Sequence, residues 1–182
     1  MPVQQLRNMV YASLMAALIA VGAYLHVPLG PVPIVLQNLF VLLAGLLLGC
    51  RWGAISTVIY LLVGTIGIPV FAGASGGLAH LLGPTGGYLF GFVIAAFLTG
   101  YIADQFKQHL VAQIAAVAVG SIAIYALGVP WLKFVAGLSW SKAFLVGMLP
   151  FLPGDALKAC AAVLLAKTLH PMIPHQFEPS TS

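Results

Sequence analysis

The 182 residues predict an all-α, polytopic membrane protein with six transmembrane helices. Three observations carry this reading. The chain is 62% hydrophobic, with a mean hydropathy of +1.09. Only 5% of its residues are charged, far fewer than a soluble domain of this length needs to cover its surface. Its apolar runs are also separated by clusters of Pro, Gly and polar residues. The formal charge of +4 comes from seven basic and three acidic residues without a basic cluster, so nucleic-acid binding has nothing to rest on. Cys50 and Cys160 are far apart, in or beside apolar segments, and form neither a disulfide framework nor a metal spacing.

The first span is expected over 6–26. Arg7 before an apolar run and the small residues Ala20-Val-Gly22 imitate a signal peptide. The run is long and many spans follow it, so it reads as a retained first helix. Within it Ala12, Ala16 and Ala20 recur every four residues, the small-xxx-small spacing that admits a second helix. Alanine is frequent here, and composition explains the recurrence as well as design does.

Pro28-Leu-Gly-Pro-Val-Pro33 sets off a second span over 34–49, and Arg51-Trp52-Gly53 sets off a third over 54–67. The fourth is expected over 86–103, before the polar run from Asp104 to His109. The fifth covers 110–128 and is closed by Val129-Pro130; the sixth covers 151–169, before Pro171. Segment 139–149 is too short to span and reads as an interfacial helix, with Pro150 and Pro153 setting the break into the sixth span. Several spans fall short of the ~20 residues of a perpendicular crossing, as helices lining a cavity often do. One transmembrane domain covers 1–182, with a disordered tail from about 175.

With both termini cytoplasmic, Arg7, Arg51, Lys107 and Lys167 lie inside, and Lys133 and Lys142 outside, a split that agrees with the positive-inside rule. The connection between spans three and four then lies outside. It holds seven glycines from Gly67 to Gly87, Pro69 and Pro84, no charge, and apolar Phe71, Leu78 and Leu81. A solvated loop would be polar. This one reads either as a fold over a cavity or as an ordinary re-entrant connection.

Asp155 and Lys158 are the strongest functional signal. They stand three residues apart, on one side of a helix, inside an apolar segment. Each such charge costs roughly 2.5–3.5 kcal/mol near mid-bilayer on insertion scales. The pair either locks two helices together or faces a polar cavity or ligand. Pro153 suits a first helical turn, which brings a helix N-terminus, an anchor for anionic groups, close to Asp155. Gln37 and Asn38 are amides at the start of the second span; Thr85, Tyr60 and Tyr88 are further polar candidates. Trp131 and Trp140 read as interface anchors.

The five histidines have no metal-ligand spacing, and only His80 lies in the glycine-rich loop. There is no Gly-x-Ser-x-Gly elbow, and Gly83-Pro-Thr-Gly-Gly87 lacks the lysine of a Walker A loop. The case for an enzyme is poor; an intramembrane enzyme using Asp155 or His80 lacks a second catalytic group.

In order along the chain, Val32-Pro-Ile-Val-Leu-Gln37, Gly45-Leu-Leu-Leu-Gly49, Tyr60-Leu-Leu-Val-Gly-Thr-Ile-Gly-Ile-Pro-Val-Phe71, Gly83-Pro-Thr-Gly-Gly-Tyr-Leu-Phe-Gly91 and Pro153-Gly-Asp-Ala-Leu-Lys158 resemble the BioY family, the biotin-binding S components of energy-coupling-factor (ECF) transporters. Leu36 and Asn38 fall where family members vary. The resemblance implies a six-helix, S-component-like protein of the cell membrane that captures biotin from outside and uses no cofactor. It implies as partners the lipid bilayer, a coupling transmembrane subunit and ATPase subunits. An S component for another vitamin shares the fold. By the same resemblance Asp155, Lys158, Gln37, Tyr60, Phe71, Gly77, Thr85 and Tyr88 contact the ligand, and Ala12, Ala16 and Ala20 form the surface offered to the coupling subunit. Asp155 can accept from a ureido N–H, and Lys158 can meet either the ureido oxygen or the valerate carboxylate.

Overall fold

A computed structural model describes residues 3–27, 31–106 and 109–172. The expected tail from 175, Lys107 of the orientation argument and the start of the Pro28 breaker lie outside these residues.

Helix α1 runs Val3–Tyr24. The chain then turns through two short antiparallel strands, β1 (His26–Val27) and β2 (Ile34–Val35), in which His26 faces Val35 and Val27 faces Ile34. The expected second span therefore starts later, at Gln37, because residues 34 and 35 are spent on this pairing.

Helix α2 covers Gln37–Thr65 with a break at Gly49 (φ 73°, ψ 179°), a conformation that essentially only glycine adopts. The break folds the chain back on itself: a methyl group on Gly53 would stand 2.9 Å from the Gly45 Cα, eight residues earlier. The two arms are the expected second and third spans, but the corner is Gly49, not Arg51-Trp52-Gly53. Backbone packing sets it. The corner presses on Gly100 of the next long helix, and the Asp104 carboxylate accepts from the Cys50 N–H at 3.4 Å.

The glycine-rich connection carries a bridge between Phe71 and Ser75 and one short helix, α3 (Leu78–Leu81). Phe71 is fully buried and Leu81 packs on the core, whereas Leu78 is exposed. Helix α4 follows over Gly86–Gln105.

Helix α5 spans Leu110–Ala136 and passes through Pro130, where a stop was expected. Pro130 cannot donate to the Ala126 carbonyl, but packing outweighs that loss. Leu132 is fully buried, and the Trp131 indole N–H donates to the Gly83 carbonyl at 2.9 Å. Trp131 thus ties the loop to α5 and is more than an interface anchor. The helix ends at Gly137 in the left-handed conformation (φ 64°).

Helix α6 (Trp140–Gly147) meets α7 (Leu152–Leu169) at a 48° bend, with Pro153 in the first turn of α7. A 3-10 turn, His170–Met172, follows. Counting the arms of α2 separately and α6–α7 as one bent rod, the bundle has six rods. Its outer faces are apolar: Leu14, Leu18, Ile122, Leu157 and Leu164 are all exposed. Such a surface suits lipid.

The alanine stripe of α1 points inward. Ala12 is 0% and Ala16 6% exposed, and Ala20 is partly buried, on the side that packs against α2. The expected partner surface is therefore already covered by the chain's own helix. Small side chains allow this close packing. The outward face of α1 carries Val10, Ser13, Leu14, Ala17, Leu18 and Val21 instead.

Candidate functional site

Helices α2, α4 and α7 all begin at one end of the bundle, around a cavity. Gln37 and Asn38 come from the first turn of α2, Thr85 from the start of α4, and Phe151, Asp155 and Lys158 from the start of α7. The N-cap residues Leu36, Thr85 and Phe151 make no side-chain cap hydrogen bond. Three helix N-termini therefore converge on the cavity without side-chain caps, although the Gly83 carbonyl accepts from the first N–H of α4 and Asp155 stands in the first turn of α7. His80, Tyr88 and Tyr125 add polar groups, while Val32, Val35, Leu89 and Ile124 supply apolar wall. A few convergent polar groups in an otherwise apolar cleft are the usual make-up of a small-molecule site.

Asp155 is 7% exposed and anchors the polar cluster. Lys158 Nζ donates to Asp155 Oδ1 at 2.8 Å, and Asn38 Nδ2 donates to Oδ2 at 2.9 Å. The Tyr125 hydroxyl donates to the same Oδ2. One carboxylate thus joins α2, α5 and α7, and the ammonium beside it makes the cluster electrically neutral. Gln37 is 2% exposed, and its Nε2 has no hydrogen-bond partner. The Tyr60 hydroxyl stands beside it, close enough to interact but without a well-formed hydrogen bond. An unpaired buried donor on a cavity wall costs roughly 1–3 kcal/mol unless something arrives to accept from it.

Of the residues expected at the ligand, Asp155, Lys158, Gln37, Thr85 and Tyr88 line the cavity. Tyr88 also holds its far wall, donating to the Gly147 carbonyl at 2.7 Å. Tyr60, Phe71 and Gly77 do not line it. Tyr60 packs edge-on against Phe71 at 5.5 Å, and Phe71 stacks on His80 at 5.0 Å, so both stand one layer behind the wall. The Gly77 N–H donates to the Gly64 carbonyl at 2.7 Å and so serves the loop. Asn38, His80 and Tyr125 are the additions. Asn38 and His80 stood out as polar residues in the sequence, but no local pattern singles out Tyr125, which lies 30 residues from Asp155 in the chain.

The cavity is narrow. The space open to the centre of a water is about 50 Å³, and the empty volume out to the walls and open mouth is about 530 Å³. A water needs about 10–15 Å³ by the first measure.

A second, wider groove of about 470 Å³ by the first measure runs between α5 and α7, lined by residues such as Ile114, Val117, Ala159 and Val163. Asp155 and Tyr125 also border it, but its walls are almost wholly apolar and offer a polar solute few contacts.

A helical membrane bundle with a polar, partly charged cavity at one end defines a membrane-embedded binding protein for a small solute. The chain belongs to the BioY family, whose model matches residues 1–175. It is 46% identical over 157 residues to the "Probable biotin transporter BioY" of Pyrococcus horikoshii, covering 86% of this chain and 92% of that one. It is 43% identical over 164 residues to the "Biotin transporter BioY" of Thermotoga maritima, covering 90% and 96%. The fold matches a crystal structure of the S-component for biotin from an ECF-type ABC transporter, with a TM-score of 0.87, 34% identity and 94% of each chain covered.

Proposed function

We propose that this chain is the membrane-embedded subunit that captures biotin from the external side for uptake by an ECF-type transporter. The observation that carries the reading is the Asp155–Lys158 pair, 2.8 Å apart in the cavity wall with Asn38 beside it. Biotin's ureido ring has two N–H donors and one carbonyl acceptor. Asp155 accepts from an N–H, while Lys158, Asn38 and the Gln37 amide are donors for the carbonyl. Lys158 is already neutralised by Asp155, so this cluster suits the uncharged ring better than the acid. The valerate carboxylate then extends toward the loop, where the three helices begin.

Position along the chain supports the orientation. Arg7 starts α1, Arg51 follows the corner of α2 and Lys167 ends α7, all at the bundle end away from the cavity. Lys133 and Lys142 flank the loop after α5, at the cavity end. The cavity faces outward, both termini lie in the cytoplasm, and a coupling membrane subunit with ATPase subunits supplies the energy.

The test is calorimetric titration of biotin into the detergent-solubilised chain after removal of co-purified ligand. One-to-one binding is expected, weakened at least tenfold by Asp155→Asn and by Lys158→Ala, the loss of about 1.4 kcal/mol or more. Unchanged affinity in both variants overturns the site. No binding by folded, ligand-free protein overturns biotin.

A further inference from the structure

We infer that His80 reads the acid end of the ligand, taking up a proton when a carboxylate occupies the loop side of the cavity. This rests on the biotin reading and on the placement of the ureido ring at Asp155.

The hydrogen bonds around His80 fix its tautomer. Nδ1 lies 2.8 Å from Ser75 Oγ, and Nε2 lies 3.3 Å from Thr85 Oγ1. The Ser75 hydroxyl proton is already committed, donated to the Ala72 carbonyl at 2.8 Å. Ser75 Oγ can therefore only accept, so Nδ1 carries the ring proton and Nε2 presents a lone pair. That lone pair faces Thr85, which lines the cavity as His80 does, whereas Ser75 does not. The basic nitrogen is the one on the ligand's side. Phe71, fully buried and nearly parallel to the imidazole at 21°, holds the ring in this pose from behind.

The groups around His80 leave it as the one that can respond. From α2, Gln37 and Tyr60 are uncharged; from α4 and α5, Tyr88 and Tyr125 are phenols. Asp155 and Lys158 of α7 are paired with each other at 2.8 Å, so their fields largely cancel. Among the described residues no other ionised side chain lines the cavity. Burial lowers the His80 pKa below its ordinary value, which keeps the ring neutral in the empty protein near pH 7. A carboxylate, ionised above about pH 5, reverses that balance when it comes within hydrogen-bond reach of Nε2. A proton from solvent then binds Nε2, making a charge-assisted hydrogen bond to one carboxylate oxygen. Thr85, released from Nε2, donates to the other oxygen. The positive ends of α2 and α4, which have no acid in their first turns, favour the same anion.

The test is titration of the wild-type chain with biotin and with biotinamide, which has the same rings and an uncharged end, in buffers of different ionisation enthalpy near pH 7. Biotin should bind with uptake of roughly half to one proton and biotinamide with none. Biotin affinity should fall as pH rises from about 6 to 8, by at most tenfold per unit. His80→Gln should abolish the uptake and flatten the pH dependence. Biotin binding with no linked proton, or uptake that persists in His80→Gln, overturns the role of His80. The comparison of the two ligands on wild-type protein decides the matter even if the variant fails to fold. Failure of both ligands to bind overturns the capture reading; binding of both without proton linkage overturns only His80.

Discussion

Cutting the Asp155–Lys158 pair from one side and then from both tests whether it is a mutually neutralised unit. The two side chains are 9% and 11% exposed, so water screens neither well. Asp155→Asn leaves an amide oxygen for Asn38 and Tyr125 but faces the Lys158 ammonium with no counter-charge. Removing one partner of a buried pair costs about 3–5 kcal/mol. Lys158→Met should cost less, about 2 kcal/mol, because Asn38 and Tyr125 still donate to the stranded carboxylate. The double variant carries no buried charge and should lie only about 1–2 kcal/mol below wild type, since neutral replacements of buried pairs are often tolerated. The double-mutant cycle should therefore give a favourable coupling of about 3 kcal/mol or more. Unfolding in mixed micelles, followed by tryptophan fluorescence or helicity as denaturing detergent is added, measures all four forms. Single effects that add to within about 0.5 kcal/mol in the double variant would refute the reasoning.

Gly49→Ala should destabilise by about 2 kcal/mol or more in the same assay, because the backbone stands at φ 73° and a Cβ would lie 2.7 Å from the Asp104 carboxylate. Tyr125→Phe should weaken biotin roughly fivefold by removing about 1 kcal/mol of hydrogen bonding at Asp155, seen by titration. Trp131→Phe removes one of the two donors to the Gly83 carbonyl and leaves only the Gly86 N–H; faster hydrogen exchange over residues 66–85 than in the wild type is the expected readout. The empty chain should also lose stability as pH falls. His80 has a lowered folded-state pKa, so its contribution is full above about pH 6.5, the unfolded value, and declines below that as the unfolded chain binds the proton first. Thermal melts from pH 8 to 5 check this, and His80→Gln should flatten the slope.

The features legible in the sequence are those with local causes. The apolar runs mark α1, α4 and α7 to within a few residues, because a span is written in consecutive side chains. The charged pair is legible for the same reason, as its members share one turn. What escaped depends on contacts across the fold. Pro130 reads as a stop, yet Leu132 and Trp131 have partners that carry the helix past it. The corner of α2 sits at Gly49, not at the more polar Arg51, because Gly100 and Asp104, some fifty residues on, shape it. Asn38 meets Asp155 across 117 residues, a pairing with no signal at either end. Periodicity gives α1 an alanine stripe but not the direction it faces, and the stripe turns inward.

Asp155 borders two media. One side of it meets the polar cavity, and the other meets the apolar groove between α5 and α7. The exposed lining of the groove, Ile114, Leu152 and Leu164, suits hydrocarbon, so in a bilayer part of the dielectric around Asp155 belongs to the membrane. A chain of low polarity in the groove strengthens every charge interaction at Asp155, and water or a loosely packed detergent tail weakens it. The strength of the Asp155–Lys158 interaction is in this sense a property of protein and lipid together, and changes in acyl packing reach the cavity through the wall that Asp155 and Tyr125 form.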